Sequence, residues 1–169
     1  NNHSTWWAAQ IAAFGSLLQD EELKRVAKNQ FKKLLTNQMD SLGRFPDEIN
    51  RTKPYNYTLF NLEGYATICH LLSDEKENLW DYTTPNGSLE FAWKYMIPYL
   101  NDKSQWPHQK DVSHFDELPI QTVGILLSAM GYESDDLLKI WQGLSLENPS
   151  EEIKRNYPYW QPILWKKAS

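Results

Sequence analysis

Two stretches of the chain carry side chains whose types could do chemistry together. One is Asn1-Asn-His-Ser-Thr-Trp-Trp7; the other is Phe45-Pro-Asp-Glu-Ile-Asn-Arg-Thr-Lys-Pro-Tyr-Asn-Tyr57. Asn2 offers an amide N–H, His3 an imidazole N–H and Arg51 a planar guanidinium, and such donors together can neutralise a carboxylate in an oxyanion-type pocket. Tyr57, close to Arg51 in sequence, can take a proton and return it. Singly, each residue has a plainer reading: His3 as a helix-start or surface histidine, Arg51 as a solvated charge, Tyr57 as a core aromatic. Their joint occurrence is what points to proton transfer beside a carboxylate.

Helices must position these groups, because helical periodicity dominates and no sustained period-two run suggests a sheet. A first helix is expected over about 5–18, with Trp7, Ile11, Phe14 and Leu18 on its apolar stripe. Asp20 with Glu21 and Glu22 reads as a cap and an acidic first turn, opening a second helix to about Leu35 through Leu23, Val26 or Ala27, Gln30 and Leu34. The polar segment from Thr36 to about Pro54 is long for a connector, and long loops in compact domains are often functional. A third helix should cover about 55–73, followed by a break at Pro85-Asn-Gly87. Ser88 then caps a fourth helix to about Leu100. The segment 101–118 reads as loop. Two further helices follow at about 119–130 and 134–144, and the tail from Tyr157 to Trp165 is aromatic and proline-broken. About six amphipathic helices with short returns make antiparallel αα-hairpins.

On these residues the chain resembles the alginate lyase superfamily, the α/α-toroid polysaccharide lyases that include alginate, oligoalginate and glucuronan lyases. In that family an Asn-His pair opens a helix as Asn-Asn-His followed by small and aromatic residues. A second motif has Glu, two intervening residues, Arg, and then a Tyr that starts a helix continuing with Phe, Asn and Leu. Here Asn2 and His3 match the pair, Arg51 the Arg, and Tyr57 the catalytic Tyr, with Tyr57-Thr-Leu-Phe-Asn-Leu62 as the continuation. The Arg51 to Tyr57 interval is often a residue longer in alginate lyases, which leaves Tyr55 as a competitor; Tyr55 and Tyr57 would point to different faces of a helix. The resemblance implies an all-α fold of antiparallel αα-hairpins forming an incomplete α/α toroid. It also implies one lyase domain over 1–169, a C-terminal part of a longer catalytic domain with further sequence upstream of Asn1.

The implied reaction is β-elimination on a uronate-containing acidic glycan of the alginate or glucuronan type. The proton at C5 of a uronate is hard to remove because the neighbouring carboxylate opposes carbanion formation. Asn2, His3 and Arg51 would neutralise that carboxylate, and Tyr57 would act as base and then protonate the leaving oxygen at C4. A single-residue relay suits syn elimination, as on mannuronate or glucuronate; for guluronate His3 is the better base. No metal or organic cofactor is required, because the three donors do what a cation does in calcium-dependent lyases.

The remaining features set bounds. With a net charge of −5 and a pI near 5.4, the chain lacks the clustered basic residues on which nucleic-acid binding depends. Eight Trp and nine Tyr exceed what a helical core of this size requires, and rings serve carbohydrate clefts as stacking platforms. Tyr55, Trp106, Tyr159 and Trp160 are the candidate substrate contacts, with packing as the alternative. His108 and His114 share a loop with Asp111 and Asp116, but their spacing matches no strong metal-ligand pattern, so no metal is expected. His70 and the lone Cys69 read as buried helix residues. A hydrolase would use carboxylates such as Asp47 with Glu48, or Glu63, whereas Glu48 reads better as orienting Arg51 or capping its loop. A non-catalytic glycan-binding module is the other alternative. The sequons at Asn2, Asn50, Asn56 and Asn86 would place glycans on the expected site in a eukaryotic secretory protein. A bacterial periplasmic or secreted protein is therefore expected, with no membrane span.

Overall fold

The computed structural model describes residues 1–145 and 149–157. The fold is all-α. Helices α1 (Asn2–Leu18), α2 (Glu21–Gln38), α3 (Pro46–Ile49), α4 (Pro54–Leu72), α5 (Leu89–Asn101), α6 (Val123–Gly131), α7 (Asp135–Gly143) and α8 (Glu151–Asn156) follow in order. A two-stranded antiparallel ribbon, β1 (Thr83–Thr84) and β2 (Gly87–Ser88), turns the chain at Pro85-Asn86. None of the described helices is long and apolar enough to cross a membrane.

The helix starts follow capping chemistry. Asp20 accepts from the N–H groups of Glu22 and Leu23, Ser88 from Phe91 and Ser134 from Leu137. The first helix begins earlier than the apolar stripe suggests, because the Asn1 side chain accepts the His3 N–H and caps α1 at Asn2. Pro46 and Pro54 each stand at a first helical position, where the missing N–H is not needed. Pro46 thus starts a one-turn helix inside the segment expected to be loop. The α6 helix starts at Val123 rather than near Pro119, and α8 has no counterpart among the expected elements.

The core sits around α4, which packs against α1, α2, α3, α5 and α6. Most of its length is buried. Its neighbour α1 meets it through small residues: Ala8, Ala9, Ala12 and Gly15 are buried along with Asn2 and Thr5. That approach is close, since a Cβ on Gly64 would lie 3.0 Å from Thr5 Cγ2, and α2 comes as near on the other side, where a Cβ on Gly15 would lie only 2.9 Å from the Lys24 backbone nitrogen. The expected stripe is therefore corrected. Trp7, Phe14 and Leu18 are 47%, 55% and 66% exposed, because side chains of that size cannot enter so narrow an interhelical space. On α2 the buried set is Ala27, Phe31, Leu35 and Gln38, one position on from a face through Val26, Gln30 and Leu34, so the choice between Val26 and Ala27 falls to Ala27.

Candidate active site

The start of α1, the short α3 and the start of α4 meet at Glu48. This carboxylate is fully buried. One oxygen accepts the backbone N–H of Asn2; the other accepts Asn2 Nδ2 at 2.8 Å and Arg51 Nη1 at 3.2 Å. Burial pushes the Glu48 carboxyl above its ordinary range, against the opposing pull of the Asn2 N–H and of Arg51. Arg51, 29% exposed, in turn lays its guanidinium carbon 3.6 Å from the centroid of the Tyr57 ring. That is stacking distance for a cation on a π face. Asn2, Glu48, Arg51 and Tyr57 thus form one continuous chain of contacts.

Each anchor has a local cause. Arg51 follows the last turn of α3, so Glu48 and Arg51 are three residues apart and face each other. The α4 N-terminus, which carries Tyr57, has no cap from its own Lys53; Asp111 supplies it from across the fold, accepting the N–H groups of Tyr55 at 2.9 Å and Asn56 at 3.0 Å. The same loop supports Arg51, whose carbonyl accepts Gln109 Nε2 at 3.0 Å. Below Asn2, Gln38 ties three elements together. Its amide oxygen accepts Thr5 Oγ1, Asn61 Nδ2 and the Tyr65 hydroxyl, while its Nε2 donates to the Asn1 carbonyl. Asn61, from the Phe-Asn-Leu continuation, therefore helps seat the start of α1.

The sequence-derived candidates divide cleanly. Asn2, Arg51 and Tyr57 are brought together, but Asn2 is corrected as a direct donor to substrate: it is 1% exposed and its amide donates to Glu48. His3 is not part of that chain of contacts: it is exposed and lines a groove with Ser4, Trp7, Gln30, Lys33 and Leu34 between α1 and α2. Tyr57 is half-buried, and among the described residues its hydroxyl has no hydrogen-bond partner. Tyr55 is corrected as a substrate contact. It is fully buried, its hydroxyl donates to the Tyr99 carbonyl at 3.0 Å, and its ring packs edge-on to Trp106 and Phe115. Trp106 is corrected likewise: it is 8% exposed and lies among Tyr55, Tyr95, Tyr99 and His108, with its indole N–H bound to the Gln109 carbonyl. Tyr159 and Trp160 lie outside the described residues.

The alternative chemistries find little footing. Glu63 is buried, its Oε2 accepting the Gly124 N–H at 2.9 Å at the start of α6, so it faces a helix end rather than a cleft. Asp47 is exposed while Glu48 is buried, so the two do not form a facing pair. His114 bonds Glu117 and Ser150, His108 bonds the Tyr95 hydroxyl at 2.7 Å, and Asp111 caps α4. Among the described residues no three His, Cys, Asp or Glu side chains group as metal ligands. A broad cleft lined by Lys24, Lys28, Asp74 and Glu77 shares nothing with the Glu48 cluster, and ion pairs from Lys28 to Asp74 and Glu77 span it.

Two roles emerge only in three dimensions. Glu48 holds Asn2 as well as Arg51, and Asp111 is a helix cap rather than a solvated loop charge. The unfilled cap position ahead of Pro54 is the sequence signal that points toward the second.

Comparison with known proteins gives a concordant result. The family model for alginate lyase matches residues 1–106, a span that contains the whole Glu48 cluster. A crystal structure of an alginate lyase from Bacteroides ovatus superposes with a TM-score of 0.67 at 22% identity, covering 93% of this chain and 42% of that one. The chain thus spans less than half the length of that relative. Among curated proteins, no sequence matches.

Proposed function

This chain belongs to the alginate lyase family, and we propose that it supplies the catalytic residues of a polysaccharide lyase acting on a uronate-containing acidic glycan of the alginate or glucuronan type. The observation that carries this reading is the continuous contact from Asn2 through Glu48 and Arg51 to Tyr57. It sets the partly exposed guanidinium of Arg51 beside a phenol that is not sequestered in the core. Arg51, with N–H groups beyond the one given to Glu48, would hold the uronate carboxylate, while Asn2, 1% exposed, would back it through their shared partner Glu48. Tyr57, reacting as its phenolate, takes the C5 proton, the released electron pair forms the C4–C5 double bond, the C4–O bond breaks, and the proton now on Tyr57 goes to the departing oxygen. His3 completes the carboxylate pocket, or serves as base for guluronate, once its ring turns from the α1–α2 groove toward Asn2.

The fold around this site is proposed as part of an α/α toroid, and the protein as a bacterial periplasmic or secreted enzyme. The test is to offer the full-length protein alginate, glucuronan and glycosaminoglycans. Elimination creates a conjugated unsaturated uronate that absorbs in the near ultraviolet. Saturated new ends would make the protein a hydrolase, and binding without cleavage would make it a glycan-binding module.

A further inference from the structure

Glu48 is an expensive residue for a fold to keep. A carboxylate with no exposed surface destabilises the fold unless its lone pairs are filled, and here they are filled by the site's own donors. Two of the three donors come from Asn2, backbone and side chain, and the third from Arg51. Asn2 stands at the first position of α1, and Arg51 lies in the turn between α3 and α4. Both of these residues donate to the Oε2 atom of Glu48.

We propose that Glu48 is the positioning residue of the site: it registers the Asn2 amide against the Arg51 guanidinium, and through Arg51 it sets the ring of Tyr57. It also offsets the charge of Arg51, to which it is ion-paired. A uronate carboxylate entering this pocket meets an ion pair and oriented N–H groups rather than a bare cation, so ground-state attraction is held down while geometry is kept for the transition state. The catalytic half of this inference rests on the lyase reading; the positioning half does not.

The two substitutions that separate charge from reach are Glu48→Gln and Glu48→Asp. Glu48→Gln keeps the shape but removes the charge, and its amide nitrogen confronts donors from Asn2 or Arg51. The expected result in the full-length enzyme is a fall in kcat on the order of a hundredfold, the scale of a misplaced reacting group. KM should fall at the same time, because a negative charge near the substrate carboxylate is gone. Glu48→Asp keeps the charge on a shorter stem, so kcat should fall with no decrease in KM. A merely structural role would instead lower kcat in both variants in step with the folded fraction and leave KM unmoved.

A second readout does not need turnover. With the guanidinium carbon 3.6 Å from the Tyr57 ring centroid, the side-chain protons of Arg51 should carry an upfield ring-current shift in proton NMR, assigned by its disappearance in Tyr57→Leu. Loss of that shift in either folded Glu48 variant supports the positioning role even if the full-length protein cleaves no uronate polymer, an outcome that would sink the lyase reading alone. Retention of the shift in both variants, or a parental kcat in Glu48→Gln, overturns the proposal.

Discussion

Replacing Glu63 by Gln should change how stability depends on pH. Glu63 lies inside α4, and its Oε2 takes the N–H of Gly124, with Thr122 and Val123 also opposing the effect of burial. Its Oε1 is buried and, among the described residues, has no partner. Burial is the largest influence, pushing the carboxyl from an ordinary 4.5 up to about 7. Because the folded value is raised, the protonated form is favoured by folding. Stability from this group is complete below 4.5, where folded and unfolded chains are both protonated. It is lost as pH rises through about 7, where the folded chain too must give up the proton. At about 1.4 kcal/mol for each unit, the span amounts to about 3 kcal/mol. In Glu63→Gln the new amide would keep an oxygen for the Gly124 N–H and carry no titration. Urea denaturation of both proteins at pH 5 and pH 8 isolates the contribution, since other carboxyls cancel in the difference. Relative to wild type, Glu63→Gln should gain about 2.5 kcal/mol between the two pH values, because at pH 5 the unfolded chain has already begun to ionise. Parallel pH profiles, with the gain under about 1 kcal/mol, would show that Glu63 is not a buried, proton-retaining link between α4 and α6.

Three other perturbations have defined outcomes. Arg51→Lys should slow turnover about a hundredfold, roughly 3 kcal/mol in the barrier, because an ammonium cannot reproduce a planar two-pronged contact or the stack on Tyr57; steady-state kinetics at the parental rate would make Arg51 structural. Tyr55→Phe should lose the bond to the Tyr99 carbonyl and about 1 kcal/mol of stability, read from a denaturation midpoint, while kcat stays within a few-fold of wild type. Gly131→Ala would set a Cβ 2.3 Å from Trp80 Cε2, so thermal unfolding should report a loss of about 2 kcal/mol; an unchanged Tm would mean that the indole moves aside freely.

Much of this architecture is legible in the sequence because caps and periodicity are local signals. Asp20, Ser88 and Ser134 announce their helices, and the joint occurrence of Asn2-His3 with Arg51 and Tyr57 locates a cluster that α1 and α4 do bring together, His3 excepted. The misses have a common physical origin in contacts between elements. Hydrophobicity marks Trp7, Phe14 and Leu18 as the inner face of α1, but the close approach of α2 and α4 admits only small residues there. The caps supplied by Asp111 to α4 and by Glu63 to α6 span the fold, so a local pattern shows at most the unfilled position ahead of Pro54 and never the residue that fills it. Tyr55 and Tyr57 stand two positions apart on one helix, roughly 200° around its axis, which is why one is sealed in the core and the other faces Arg51. Aromatic content points to sugar stacking at Trp106 and Tyr55, where the rings instead pack on one another.

Whether Tyr57 moves the proton in an elimination is decided by comparing the full-length protein with its Tyr57→Phe variant on the uronate polymer it cleaves, with the initial rise in near-ultraviolet absorbance as the readout. Tyr57→Phe should stay folded, bind the polymer as tightly as wild type and lose turnover by at least about a thousandfold, the upper part of the range for a positioned acid and base. Turnover within tenfold of wild type by the folded variant would contradict the assignment of Tyr57 as the proton carrier.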